Sequence, residues 1–253
     1  MKQTEKTAIV LRYANYGERD RMLTLFSPTR GLIEAAAHGC RRPRSRLLRA
    51  SELFTLGDFE LFEKGGRYTV TGFSLIENFY PLRNDWERLN AGMYMLNLCE
   101  AAIQPGENSQ ELFMLLLHTL SRLTFSDQPW VPLLSGFLAH FANTQGYRPR
   151  LRHCVVCGER IADGAPAALD LREGGLVCGR HRQADAPLIA PSERAFLRHV
   201  LETGCSAWVE DAERTAPLAL MERYVGARLD KPLRVQPPEA PPAGNGSARV
   251  QPE

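Results

Sequence analysis

Four residues have the types and spacing of a metal site. Cys154-Val155-Val156-Cys157 is answered, after twenty intervening residues, by Cys178-Gly179-Arg180-His181. Each pair, with its two-residue gap, forms a knuckle whose side chains converge, and a tetrahedral Zn2+ accepts such a Cys3His set. Gly158 and Gly179 stand where the turns around the ligands favour an unhindered backbone. His153 is a rival fourth ligand, but it would leave the chain from the position beside a knuckle cysteine, so His181 is preferred. Two other readings compete. The cysteines could be reduced and unliganded, or Cys154 and Cys157 could be a redox pair, for which the strand-to-helix setting of a thioredoxin motif is missing. Cys40, Cys99 and Cys205 read as free thiols.

A second constellation runs His38-Gly39-Cys40-Arg41-Arg42-Pro43-Arg44-Ser45-Arg46-Leu47-Leu48-Arg49. No acidic residue occurs between Glu34 and Glu52, so Arg41, Arg42, Arg44, Arg46 and Arg49 have no counter-ion nearby in sequence. Pro43 keeps the segment out of a helix. A guanidinium can give two parallel hydrogen bonds to phosphate oxygens, so a loop this dense in arginine points to nucleic acid. The competing reading is a solvated loop with no partner. Tyr13, Tyr16, Phe59, Phe62, Tyr68 and Phe73 surround this region, and single strands stack their bases on such rings. Alternation alone does not say which of them lie outside a core.

Catalytic patterns are missing. There is no Walker A motif, GxGxxG leading into a helix, GxSxG or HExxH, and neither half of the zinc-deaminase signature. His118 and His140 lie on apolar stretches and read as satisfied core histidines. No catalytic residue is assigned, and the chain is not expected to be an enzyme.

These sites need elements to hold them. Residues 7–80 carry five short β-branched or alternating segments: Thr7–Tyr13, Arg21–Phe26, Leu32–His38, Leu53–Phe62 and Tyr68–Ile76. Five strands in so short a span suggest a small closed barrel, with an OB-fold first and an SH3-like barrel second. The period then lengthens to that of helices. Asp85 caps one helix, with Trp86, Leu89, Met93, Leu96, Cys99 and Ile103 on its apolar face. Asn108 and Glu111 resemble a capping box for the next, and a third runs from about Trp130 to Gly146. Further helices are expected from Pro191 and through Leu218, Met221, Tyr224, Val225 and Leu229. The fold class is therefore α+β. Its expected parts are a barrel over 1–80, a helical bundle over 81–150, a zinc-finger-like insertion over 151–188, C-terminal helices packing back over 189–235, and a disordered Pro-rich tail over 236–253. The insertion is poor in large apolar side chains, so metal would replace its missing core.

The 253 residues carry a net charge of +2 and are 44% hydrophobic. Residues 1–80 hold 13 Lys and Arg against 9 Asp and Glu, which concentrates the basic character at the front. No membrane span or signal peptide is legible, and the cysteine usage suits a reducing cytoplasm.

The order of these features resembles one family. A barrel opening on Thr7–Tyr13 and Gly17-Glu18-Arg19-Asp20-Arg21 is followed by Ala35-Ala36-Ala37-His38-Gly39-Cys40-Arg41-Arg42-Pro43-Arg44-Ser45-Arg46. Helices come next, and then a CxxC…CxxH module before the final helices. From about Thr7 to Val235 this is similar to the bacterial RecO family of DNA repair and recombination mediators. The resemblance implies an N-terminal OB-fold and a helical domain carrying a zinc-finger-like module. It implies binding to single- and double-stranded DNA and annealing of complementary strands. It also implies partnership with RecR and single-strand-binding protein in loading RecA, within the RecF pathway, in the cytoplasm at the nucleoid. By position, Arg41, Arg42, Arg44, Arg46 and Arg49 correspond to the family's basic DNA-contacting surface, and Cys154, Cys157, Cys178 and His181 to its metal positions. One departure is His181, since many zinc-bearing relatives have cysteine there. A reading of another class is a zinc-containing interaction or transcription module, in which the Cys cluster makes the essential contacts through Arg148, Arg150, Arg152, Arg160, Arg172, Arg180 and Arg182.

Overall fold

The computed structural model describes residues 2–204, 212–229, 233–236 and 238. The expected free thiol Cys205, and all of the Pro-rich tail beyond Gln236 except Pro238, lie outside the described residues.

Five strands, β1 (Lys2–Tyr16), β2 (Asp20–Ser27), β3 (Gly31–Ala37), β4 (Leu56–Lys64) and β5 (Arg67–Glu77), close a barrel in the order β1-β2-β3-β5-β4. β1 is long enough to serve two neighbours. Its first half pairs with β4 and its second half with β2, and the register shifts between Val10 and Arg12. β3 meets β5 in parallel at Ala35↔Tyr68 and Ala36↔Thr69. This is the OB arrangement, and it removes the SH3-like alternative. The fourth strand starts at Leu56 and not at Leu53, because Phe54 has a left-handed φ of 66° and turns its ring toward Gly92.

Alternation along β1 buries both faces. Ala8 and Val10 point into the barrel with Leu23, Leu25, Ile33, Ala35, Phe59, Leu61 and Val70. Ile9 and Leu11 point outward into a second core shared with the helices. Phe26 joins that core edge-on to Phe113, with ring centroids 5.1 Å apart. The β2–β3 turn is pressed onto the chain beyond the first helix: Gly106 N–H donates to Arg30 O and Ser109 N–H to Pro28 O. Gly31 sits here with φ +61°, and a Cβ on it would fall 2.2 Å from Gln104 O, so only glycine fits.

α1 (Trp86–Ala102) starts where expected, with the Asp85 carboxylate accepting from Arg88 N–H, a cap worth about 1 kcal/mol. Its burial corrects the single-face reading. Ala91 to Cys99 is buried almost all round except at Met93, whereas Trp86 is 72% exposed. The reason is position: α1 is the central helix, wrapped by the barrel, α2 (Gln110–Phe125) and α3 (Trp130–Thr144). The capping box also fails. Ser109 is the N-cap, with no side-chain bond of its own, while the Asn108 side chain accepts from Gln110 N–H. His118 is exposed and is not a core histidine. His140 is one, its Nε2 2.7 Å from Val200 O, with burial holding its pKa below the usual range.

Three short strands follow that the sequence did not announce. β6 (Ala167–Asp170), β7 (Gly175–Val177) and β8 (Leu188–Ile189) form a sheet of order β7-β6-β8. Its side chains, with Leu151, Cys154 and Ile161, join the helical core. The module therefore has a core, shared with its neighbours. α4 (Pro191–Thr203), α5 (Ala212–Thr215) and α6 (Leu218–Gly226) complete the bundle, and Leu229 packs on it from beyond the end of α6. Among the described residues, no helix is long and apolar enough to cross a membrane.

Candidate metal centre and nucleic-acid interface

The two knuckles are built by backbone pairing. In the first, Cys154 N–H donates to Glu159 O, Gly158 N–H to Cys154 O and Ile161 N–H to Arg152 O, and Gly158 takes the φ of +73° that this turn requires. β7 runs straight into the second, where His181 N–H donates to Cys178 O. Val155 N–H to Leu176 O and Leu176 N–H to Arg150 O fasten one knuckle to the other. The ligand atoms of Cys154, Cys157, Cys178 and His181 consequently all lie within 4.8 Å of one another. His181 Nδ1 is 3.2 Å from Cys178 Sγ and 3.8 Å from Cys154 Sγ. Tetrahedral ligands about 2.0–2.3 Å from Zn2+ would sit roughly 3.5–3.8 Å apart, so the set fits a metal of this kind. His153 is exposed and outside the group.

The three thiols are shifted in different directions. Burial opposes ionisation of Cys154, but the amides of Cys157, Cys178 and Val156 hold its pKa below the usual thiol range. Burial likewise opposes ionisation of Cys178, and the amides of Arg180 and His181 pull it down. For Cys157 the Glu159 amide works the other way, yet burial and the two neighbouring sulfurs push it up. Cys40 and Cys99 are free and buried, as expected.

The arginine loop forms a separate site. It leaves β3 as successive turns, with Arg42 N–H donating to Gly39 O, Ser45 N–H to Arg42 O and Leu48 N–H to Ser45 O. Arg44 takes a left-handed φ of 66°, which costs a residue with a Cβ about 1–2 kcal/mol. All five arginines are exposed. Arg41 donates to Gly17 O; among the described residues the side chains of Arg42, Arg44, Arg46 and Arg49 have no hydrogen-bond or ion-pair partner.

The loop also has an anchor that sequence separation concealed. Asp20, at the start of β2, accepts from Gly39 N–H at 2.7 Å and faces His38 Nδ1 at 2.7 Å, while Arg41 N–H donates to Arg19 O. The Gly39 amide, then His38, hold the Asp20 carboxyl below its usual range. The run Gly17–Arg21 was the one signal for this, since it marks the turn that the loop touches.

The arginines near the metal differ. Arg152 pairs with Glu202 at 2.6 Å and Arg180 with Glu159; Arg148 donates to Leu201 O and Arg150 to Glu173 O. Arg198 and the buried Arg194 share Asp163. Much of this cationic charge is already engaged.

Comparison with known families bears on the whole chain. Residues 1–79 match the family described as Recombination protein O N terminal, and residues 83–237 match Recombination protein O C terminal. This chain belongs to the RecO family. It is 31% identical over 237 residues to the DNA repair protein RecO of Acetivibrio thermocellus, covering 91% of this chain and 94% of that protein. It is 37% identical over 232 residues to the RecO of Heliobacterium modesticaldum, covering 90% and 82%. A RecO from Anaeromyxobacter dehalogenans is 32% identical over 242 residues. The expected family is thus the observed one, and it is a family of DNA repair proteins.

Proposed function

We propose that this RecO-family chain is a recombination mediator that binds single- and double-stranded DNA and anneals complementary strands without covalent chemistry. The observation that carries this is the barrel loop itself, where the side chains of four exposed arginines have no hydrogen-bond or ion-pair partner among the described residues. Guanidinium groups left free in the folded chain can neutralise phosphates on two strands and lower the repulsion that keeps complementary bases apart. In this reading the chain acts with RecR and single-strand-binding protein to help load RecA, in the RecF pathway, at the cytoplasmic nucleoid.

Zn2+ is the proposed occupant of Cys154, Cys157, Cys178 and His181. With four protein ligands it would cross-link the two knuckles and leave no open position for catalysis. The alternative, in which the metal module makes the essential DNA contact, is disfavoured because many of its arginines already meet carboxylates or carbonyls.

A fluorescence binding and annealing assay over a salt series tests the proposal. If five phosphates are neutralised, the log of single-strand affinity falls against log salt with a slope of about −3.5. Replacing Arg41, Arg42 and Arg44 together by Ala should weaken binding and annealing and flatten that slope. Binding indifferent to salt, or unchanged in the triple variant, would refute the electrostatic account.

A further inference from the structure

The arginines beside the metal module line a cavity that the barrel loop does not share. Its volume is about 620 Å³, within the range of small-molecule sites, and it lies between the first knuckle and α4. Arg148, Arg150 and Arg152 reach it because of their spacing. Arg150 N–H donates to Gly174 O and Leu176 N–H to Arg150 O, so the chain around Arg150 runs parallel beside β7. Alternation in an extended segment sends every second side chain the same way, and exposure follows it here: the three arginines are exposed, while Pro149 and Leu151 are buried. Arg198 faces them from α4, with Leu201 and Glu202 one turn further on.

These guanidinium groups are held in place without being used up. Arg148 donates to Leu201 O and Arg150 to Glu173 O, Arg152 pairs with Glu202 and Arg198 with Asp163, each through one terminal nitrogen. Among the described residues their other nitrogens have no hydrogen-bond or ion-pair partner. The carbonyls on Arg148 and Arg150 carry no formal charge, so those two cations are uncompensated. Glu202 is the one carboxylate in the described cavity wall against four arginines, an excess of three positive charges. A side chain already fixed by one hydrogen bond has less freedom left to lose on binding, so the cluster is preorganised. Leu151, Val155 and Leu201 add an apolar wall.

We infer that this cavity binds a compact polyphosphate in its metal-free form, as the triphosphate of a nucleotide or as a short inorganic phosphate chain. The excess of cations matches a ligand with about three to four negative charges, and guanidinium forks match phosphate oxygens. A concave wall selects a short ligand over a duplex, whose phosphates lie on a convex surface. The wall offers no free carboxylate to share a Mg2+ ion, because Glu202 is taken by Arg152. The inference is independent of the arginine loop, which lies on the barrel.

The test is titration calorimetry on the full chain with ATP, inorganic tripolyphosphate and AMP. ATP and tripolyphosphate should bind, and AMP should bind at least about ten-fold more weakly. Tighter binding of ATP than of tripolyphosphate would show that the apolar wall holds a base; equal binding would show that the phosphate chain alone is recognised. Saturating Mg2+ should weaken ATP binding. Arg148→Gln and Arg150→Gln should each weaken it about ten-fold or more, the range for loss of a charge-assisted hydrogen bond. Glu202→Gln frees Arg152 and should tighten binding about two- to five-fold, a gain that damage to the fold could not produce. Replacing Arg41, Arg42 and Arg44 together by Ala should leave ATP binding unchanged. No binding up to about 1 mM ligand, AMP binding equal to ATP, strengthening by Mg2+, or no gain in Glu202→Gln would overturn the inference. So would displacement of ATP by oligothymidylate in the triple Ala variant, which would make the cavity a DNA contact.

Discussion

At the scale of single residues, the buried ionisable groups carry a measurable pH signature. Glu222 on α6 has an Oε1 with no hydrogen-bond partner among the described residues, and burial pushes its carboxyl up to about 7. Its neighbour on α1, Tyr94, is pushed up as well, by burial and then by this carboxylate. For an acid with a raised folded pKa, the unfolded chain releases its proton first. Stability should therefore fall as pH rises from the ordinary glutamate range to about 7, and then level off. Glu222→Gln should melt at a higher temperature than the parent at pH 8 and at nearly the same temperature at pH 4, as calorimetry at the two pH values would show. Sequence patterning identified His140 as a satisfied core histidine but misread His118, because residues on one amphipathic helix can face opposite ways and hydropathy near them does not fix the direction.

At the scale of elements, the arginine loop depends on the β1–β2 turn. Asp20 alone engages Gly39 N–H and His38, and Arg42 feels its charge. Since the folded pKa of Asp20 is lowered, this latch is intact above the ordinary aspartate range and fails only as pH falls through the depressed value. Asp20→Ala separates two effects of opposite sign. Removing a negative charge beside Arg42 would by itself tighten DNA binding, whereas releasing the loop scatters its guanidinium groups. We expect weaker binding, with faster hydrogen exchange at the Gly39 amide as the sign that positioning has been lost. Tighter binding would reduce Asp20 to a bystander charge. Elements with a long periodic signal were legible in advance: five strands, the Asp85 cap and the helices after Trp130 and Pro191. β6, β7 and β8 were not, because strands of two to four residues are too short for alternation to register. The Asp20 latch was hidden for another reason. The pairing that brings β2 beside the end of β3 joins residues whose charges look unrelated in sequence.

At the scale of the whole molecule, one apolar core runs from the outer face of β1 through the bundle into the metal module. The clustering of Cys154, Cys157, Cys178 and His181 was readable from spacing, but the module's shared core was not, since its apolar residues come singly and in pairs. Metal removal should therefore have an effect beyond the knuckles. Chelation should lower the melting temperature of the bundle cooperatively, and the stability lost should be less than the roughly 10–16 kcal/mol that zinc contributes to a free-standing finger, because backbone pairing and the shared core remain. Strand binding at low temperature should survive, because the arginine loop is a separate site. A separate melting step for the module alone, seen by calorimetry, would contradict a common core. A last consequence concerns the order in which the chain is made. Asn97, buried on α1, has its side-chain carbonyl bonded by the amides of Arg234 and Val235, and Glu100 one turn on pairs with both Arg12 and Arg234. A chain emerging from the ribosome must carry α1 for more than 130 residues before those amides arrive. Until then a buried acceptor on its central helix lacks these two donors, so the pairing of α1 is completed only when residues 234 and 235 arrive.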